Sequence, residues 1–174
     1  MTIKKIITEP NQILRQKSLK VNKVGYEEQK LMDDMLETMY DAKGIGLAAI
    51  QVGIPKRIIV MDISKNEEKN YPMYFVNPVI KNKIKEMSTY EEGCLSVPNF
   101  FAEVNRPKKC DVEYLDYYGE KKILKAEGLL ATCIQHEMDH LEGILFIDYL
   151  SKLKKTMIIK KLSKQKDRPD RIIV

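Results

Sequence analysis

Gln135-His136-Glu137-Met138-Asp139-His140 holds the only two histidines of the 174-residue chain. It lies inside Leu129 to Leu141, an apolar-periodic stretch that reads as a helix and is followed by Gly143. Outward from it the pattern changes. Lys109 to Leu115 and Lys121 to Lys125 flank Asp116-Tyr117-Tyr118-Gly119, a hairpin signal. Arg57 to Ile63 is a β-branched run and reads as a strand. Met73 to Val76 and Val79 to Lys85 read as two more, separated by Asn77-Pro78. Tyr26 to Ala42 reads as a helix. Its apolar face is Leu31, Met35, Leu36 and Met39, its polar face is Asp33, Asp34, Glu37 and Thr38, and Gly44 stands beyond its end. Ser151 to Lys164 reads as a third helix with Leu153, Met157, Ile158 and Leu162 as a stripe. Helices at both ends with strands between them predict an α+β fold and not alternating βαβ units. The expected architecture is mainly antiparallel sheet around a central helix, with one N-terminal and one C-terminal helix. Residues 1–150 form the expected single catalytic domain, and 151–174 its basic helix and tail.

Composition limits the function classes. Hydrophobic residues are 44% and charged residues 32% of the chain, which suits a globular protein and not a disordered one. No run approaches 18 apolar residues, so no membrane span is expected. The start of the chain lacks a secretory apolar core, and the three cysteines, Cys94, Cys110 and Cys133, are an odd number. Both features predict a cytoplasmic protein in a reducing compartment. The net charge is +5, but residues 151–171 hold nine basic and two acidic residues. The basic character belongs to the tail, which argues against a nucleic-acid-binding body.

The paired histidines carry the chemistry. Four residues apart on a helix, their side chains share one face with Cβ atoms about 5–6 Å apart, so both imidazoles reach one metal ion. Glu137 between them is placed to act as general base on a metal-bound water. With only two histidines, a third histidine ligand is excluded. No acid lies between Asp148 and Asp167, and Glu142 and Asp148 sit close behind the helix. Cysteine is the other good tetrahedral ligand. Cys133 lies on the same helix, but nearly two turns, about 10 Å, from His140. Cys110 sits in a strand among charges. Cys94, in Glu91-Glu92-Gly93-Cys94-Leu95-Ser96-Val97-Pro98, has a glycine that permits close backbone approach and a proline that stiffens the exit. It is the favoured third ligand. Gly44-Ile45-Gly46-Leu47-Ala48-Ala49-Ile50-Gln51-Val52-Gly53 is not a phosphate loop. Its small residues let backbone pass close to another group, and Gln51 is an amide that needs partners if buried.

Together, Gly44 to Gln51, Glu92-Gly93-Cys94-Leu95-Ser96 and Gln135 to His140 resemble the three signature motifs of the peptide deformylase family, in that family's order and spacing. The resemblance covers the chain from its first helix to about Leu150. It implies a metallohydrolase that removes the formyl group from the N-terminal methionine of newly synthesised polypeptides and releases formate. It implies Cys94, His136 and His140 as ligands of one Fe²⁺ per chain, which Zn²⁺, Ni²⁺ or Co²⁺ can replace. Glu137 is implied as general acid/base, Gln51 and the Leu95 N–H as oxyanion donors, and the backbone of Ile45, Gly46 and Gly93 as the peptide-binding surface. Many bacterial members carry an arginine where this chain has Phe101, so no electrostatic anchor for the downstream peptide carries over. The resemblance also implies contact of the basic C-terminal helix with the ribosome, and a monomer is expected. The physical chemistry agrees: a divalent ion lowers the pKa of bound water from 15.7 to about 7, which supplies hydroxide at neutral pH. A small endopeptidase, or a basic RNA-binding protein with a structural metal, is the competing class.

Overall fold

The computed structural model describes residues 2–64 and 69–166. Among the described residues, seven strands and three α-helices follow one another as α1 (Tyr26–Asp41), β1 (Gly46–Ala48), β2 (Ile58–Met61), β3 (Met73–Lys83), β4 (Met87–Cys94), β5 (Val97–Pro107), β6 (Lys109–Leu115), β7 (Lys121–Glu127), α2 (Leu129–Leu141) and α3 (Lys152–Lys166). Five strands form one antiparallel sheet in the order β1-β2-β3-β6-β7, and β4 and β5 form a separate antiparallel hairpin. The fold is α+β, as expected.

Alternation along β2 distributes its side chains between two cores. Ile59 and Met61 join Phe75, Val112, Ile134 and Leu141 in the core between the sheet and α2. Ile58 and Val60 join Leu31, Met32, Met35 and Met39 in the core against α1. Both faces of β2 are covered, which is why it reads as an unbroken apolar run. A third cluster gathers Val97, Val104, Phe146, Ile147, Ile158 and Leu162 between the hairpin and α3. Buried residues occur on every side of α2, so it is the central element.

Several local expectations are corrected. β3 runs unbroken through Asn77-Pro78, where its pairing with β6 shifts register. Asn77 takes φ 52°, and its side chain pairs with the Val21 backbone through two bonds of 2.8 Å. Pro78 therefore sits in a bulge, where a proline removes no regular ladder bond. Asp34 and Thr38 are not on a solvent face of α1. They lie under the N-terminal segment, where Asp34 accepts from Thr2 N at 2.8 Å and Thr38 Oγ accepts from Lys4 N at 2.9 Å. Lys43, not Gly44, adopts the left-handed conformation after α1. The apolar stripe of α3 is narrower than its spacing implies: Ile158 and Leu162 are buried, but Leu153 and Met157 are exposed. Arg168 and Arg171 of the basic tail lie outside the described residues.

The end of α2 depends on Gly143. It has φ 74°, and a Cβ there would stand 2.7 Å from the Arg15 carbonyl carbon. Gly143→Ala is expected to cost roughly 2–4 kcal/mol, from a left-handed alanine plus overpacking against rigid backbone. Gly119→Ala, also at positive φ but facing only the Val24 side chain at 3.2 Å, should cost about 1 kcal/mol. Urea titrations of the two variants give the comparison.

Candidate metal centre and active site

α2 presents His136 and His140 one turn apart on one face, with ring centroids 5.0 Å apart. The hairpin brings Cys94 to them from the end of β4, with its Sγ 3.3 Å from His140 Nε2. The three ligand atoms of Cys94, His136 and His140 lie within 4.8 Å of one another, the one such group among the described residues. Tetrahedral ligands with metal bonds of about 2.0–2.3 Å stand about 3.5 Å apart, so small side-chain adjustments fit this set to a divalent ion. Two buried atoms also lack a hydrogen-bond partner here, His140 Nδ1 and Glu137 Oε2. A thiol, two imidazoles and an unsatisfied carboxylate in one pocket are the donor chemistry of a soft-to-borderline metal.

His136 Nδ1 lies 2.9 Å from Glu92 Oε2. A carboxylate only accepts, so Nδ1 carries a proton, and in the neutral ring the lone pair is on Nε2. Glu92 is held in turn by Arg106, at 2.6 Å from Nε and 3.0 Å from Nη2. Arg106 also donates to Asp139 at 2.8 Å, and Tyr149 donates to the same carboxylate at 2.8 Å while its ring lies under the guanidinium. Burial works against the charge on Glu92, yet hydrogen bonds from His136 and Arg106 hold its pKa below the usual value. Burial also works against protonation of His136, but hydrogen bonds to Cys94 and Glu92 carry its pKa well above 6.5. Burial and the neighbouring His136 charge drive that of His140 well below it.

Glu137, next along α2, lines the same cavity as His136 and Cys94. A Cβ on Gly46 would overlap its carboxylate, with Glu137 Cδ at 2.9 Å, so only glycine admits this acid against β1. Burial pushes the Glu137 carboxyl up to about 7, with the His136 charge opposing and Glu92 assisting. Gln51 is buried in the turn after β1. Its Oε1 accepts from Ala48 N at 2.8 Å, which turns the amide NH₂ toward Ser96 Oγ at 3.1 Å and Cys94 Sγ at 3.5 Å. A cavity of about 450 Å³ opens over these groups, with Ile45, Gly46, Gln51, Gly93, Cys94 and Leu95 among its walls.

The structure brings Cys94, His136 and His140 together and leaves the other ligand candidates out of that group, although Cys133 also lines the cavity. Cys133 is buried with its Sγ toward the Ile45 carbonyl, and Cys110 is buried in β6. Glu142 is bound by Arg57 and Lys17, and Asp148 by Arg15 and Lys155. Sequence reading missed the supporting set of Ser96, Arg106, Asp139 and Tyr149, and assigned Glu92 no role. A buried arginine needs carboxylates, but Arg106 lies on a strand whose polar inner face hides its period.

Residues 3–156 match the family model described as Polypeptide deformylase. The chain belongs to the peptide deformylase family. Members of this metal-dependent family are enzymes that remove N-formyl groups from nascent peptides. The chain is 72% identical over its full length to the peptide deformylase of Pelagibacter ubique, all of which it covers. It is 54% identical to that of Rhizobium meliloti across 94% of both chains. Among solved structures, it superposes on the peptide deformylase of Ehrlichia chaffeensis in complex with actinonin with a TM-score of 0.91. That match has 44% identity and covers 97% of this chain and 100% of the other. No helix among the described residues is long and apolar enough to cross a membrane.

Arg106→Met tests the deformylase scaffold behind the site. It leaves the Glu92 carboxylate buried with only His136 beside it, and losing one partner of a buried ion pair costs about 3–5 kcal/mol. Chemical denaturation should show that loss, and adding Glu92→Gln should recover a large part of it.

Proposed function

We propose that the chain hydrolyses the formyl amide of N-formyl-methionyl peptides with one divalent ion, natively Fe²⁺, held by Cys94, His136 and His140. The observation that carries this reading is the convergence of those three ligand atoms within 4.8 Å, at a cavity that also holds the buried Glu137. Zn²⁺, Ni²⁺ and Co²⁺ suit the same thiolate–imidazole set, with Ni²⁺ the more oxidation-resistant form. When bound, the ion polarises the formyl carbonyl and acidifies water.

The chain's own residues do the rest. Glu137, with its carboxyl near neutrality, takes the proton of the attacking water and returns it to the leaving amine nitrogen. The water oxygen bonds to the formyl carbon, the C–N bond breaks, and formate and a free methionine amine leave. Gln51 Nε2, aimed by the bond from Ala48 N to its Oε1, donates to the carbonyl oxygen as negative charge develops there. The Leu95 N–H is its companion. One such donor is typically worth about 3–4 kcal/mol in the transition state. The backbone of Ile45, Gly46 and Gly93 lines the walls where an extended peptide lies. Glu92 fixes the tautomer of His136 and keeps its free lone pair on Nε2. The exposed lysines of α3 offer a phosphate-binding face, consistent with docking to ribosomal RNA, and the reaction belongs in the cytoplasm.

Release of formate from formyl-Met-Ala-Ser under anaerobic conditions tests the activity. Glu137→Gln should retain the metal while deformylation falls at least about 10²-fold. Cys94→Ser should lose metal, whereas Cys110→Ser and Cys133→Ser keep about one ion per chain. Normal turnover in the Glu137 variant, or metal loss on Cys133→Ser alone, would contradict these assignments.

For the ribosome contact, removing α3 is a poor probe, because Ile158 and Leu162 are core residues. Reversing the exposed Lys152, Lys160 and Lys164 to glutamate leaves the fold intact. Co-sedimentation with ribosomes should drop for that variant, and wild-type binding should weaken by orders of magnitude between about 50 and 200 mM salt. Equal, salt-insensitive pelleting would leave α3 as a structural helix.

A further inference from the structure

The cavity over Cys94 does not end at its own rim. Phe101, 67% exposed on β5, stands in its wall, with its ring laid across Gly93, where a Cβ would meet the ring at 2.6 Å. The same ring also borders a second groove of about 490 Å³, between β5 and α3. Phe101 is thus a shared ridge and the two cavities are neighbours across it. The floor of the second groove is apolar, with Phe100 from β5 and Met157, 49% exposed, from α3. Lys154 and Lys161 stand on its α3 side, with Lys161 Nζ 6.0 Å from the Phe100 ring. Among the described residues neither lysine has a carboxylate within ion-pair distance, whereas the adjacent Lys155 is held by Asp148 at 2.6 Å. Glu103 is the one acid at the groove's edge.

An exposed methionine and a half-buried phenylalanine beside two uncommitted lysines suit a ligand that offers both apolar and acidic side chains. Continuity with the reaction cavity selects which ligand. Phe101 lines both cavities, so a formylated peptide whose first residue sits at Cys94 reaches the groove by running past the Gly93–Phe101 rim. At about 3.3 Å per extended residue, the segment about three to seven residues downstream of the methionine is the one that crosses the ridge. We propose that the β5–α3 groove is an exosite for this downstream segment of the substrate, taking apolar side chains over Phe100 and Met157 and acidic ones beside Lys154 and Lys161. This rests on the deformylation reading above and adds to it a preference determined outside the reaction cavity. Exposed ion pairs are each worth a small factor, so the groove sorts substrates and is not required for turnover.

The test compares formyl-Met-Ala-Ser with two seven-residue peptides that extend it, one by Leu-Asp-Leu-Asp and one by Leu-Lys-Leu-Lys. At low salt the acidic peptide should exceed the tripeptide about three- to tenfold in kcat/KM, through KM, and the basic peptide should not. Lys154→Glu/Lys161→Glu should abolish or invert the ratio of acidic to basic peptide. Fluorescence anisotropy of the unformylated acidic peptide supplies a readout independent of turnover, and its affinity should fall by a similar factor in the double variant. Equal kcat/KM for all three peptides, or an acidic preference that survives in the double variant, would overturn the exosite. Failure to turn over formyl-Met-Ala-Ser at all would strike the reaction assignment instead, while anisotropy still decides the exosite.

Discussion

The buried ion pair between Arg106 and Glu92 is the contact on which the centre depends. It joins β5 to β4, and through His136 and Asp139 it joins the hairpin to α2. Two charges removed from water repay their desolvation only when each is fully hydrogen-bonded. Here Arg106 is met by two carboxylates and a tyrosine ring, and Glu92 by a guanidinium and an imidazole. Such a network tolerates little displacement of its members. It thereby fixes the height of the hairpin on α2, and with it the position of Cys94 relative to His140.

Around that anchor the site is assembled from three separate parts of the fold. The five-stranded sheet carries β1 and the turn holding Gln51, α2 supplies both histidines and Glu137, and the hairpin contributes Cys94 and Ser96. No single element holds a usable set. Close approach is made possible at two glycines: Gly46 admits the Glu137 carboxylate against β1, and Gly93 admits the Phe101 ring against β4. The same economy of space leaves Glu137 in a dry environment that raises its carboxyl toward neutrality, where a proton is both taken and returned with small driving force.

Much of the scaffold was legible in the residues. α1, α2 and the β6–β7 hairpin follow their periodicity and turn chemistry, because in each the pattern has one dominant apolar face or a turn marked by Asp116 and Gly119. β4 and β5 were not legible. Their inner positions carry Tyr90, Glu92, Ala102, Val104 and Arg106, so a charged pair occupies places where alternation would show apolar residues. The continuity of β3 is hidden in the sequence because Pro78 marks a break in any regular ladder, and only the paired side chain of Asn77 turns that break into a bulge. The stripe on α3 is only half covered, since helical spacing identifies a face but not how much of it a partner covers.

The sequence by itself determined the paired histidines with Glu137 between them, because their spacing on a helix is a local matter of 3.6 residues per turn. It likewise separated the basic tail from the body, since charge counts need no coordinates. Which cysteine stands beside the histidines was decided by tertiary structure: Cys94 is more than forty positions from His140 in the chain, and only the docking of the hairpin on α2 closes that distance. The partners of Arg106, the orientation of the Gln51 amide and the adjacency of the Phe101 ridge to α3 were decided in the same way. Each is a contact between elements whose separation in sequence carries no signal, and each exists only because burial forces polar groups to find one another.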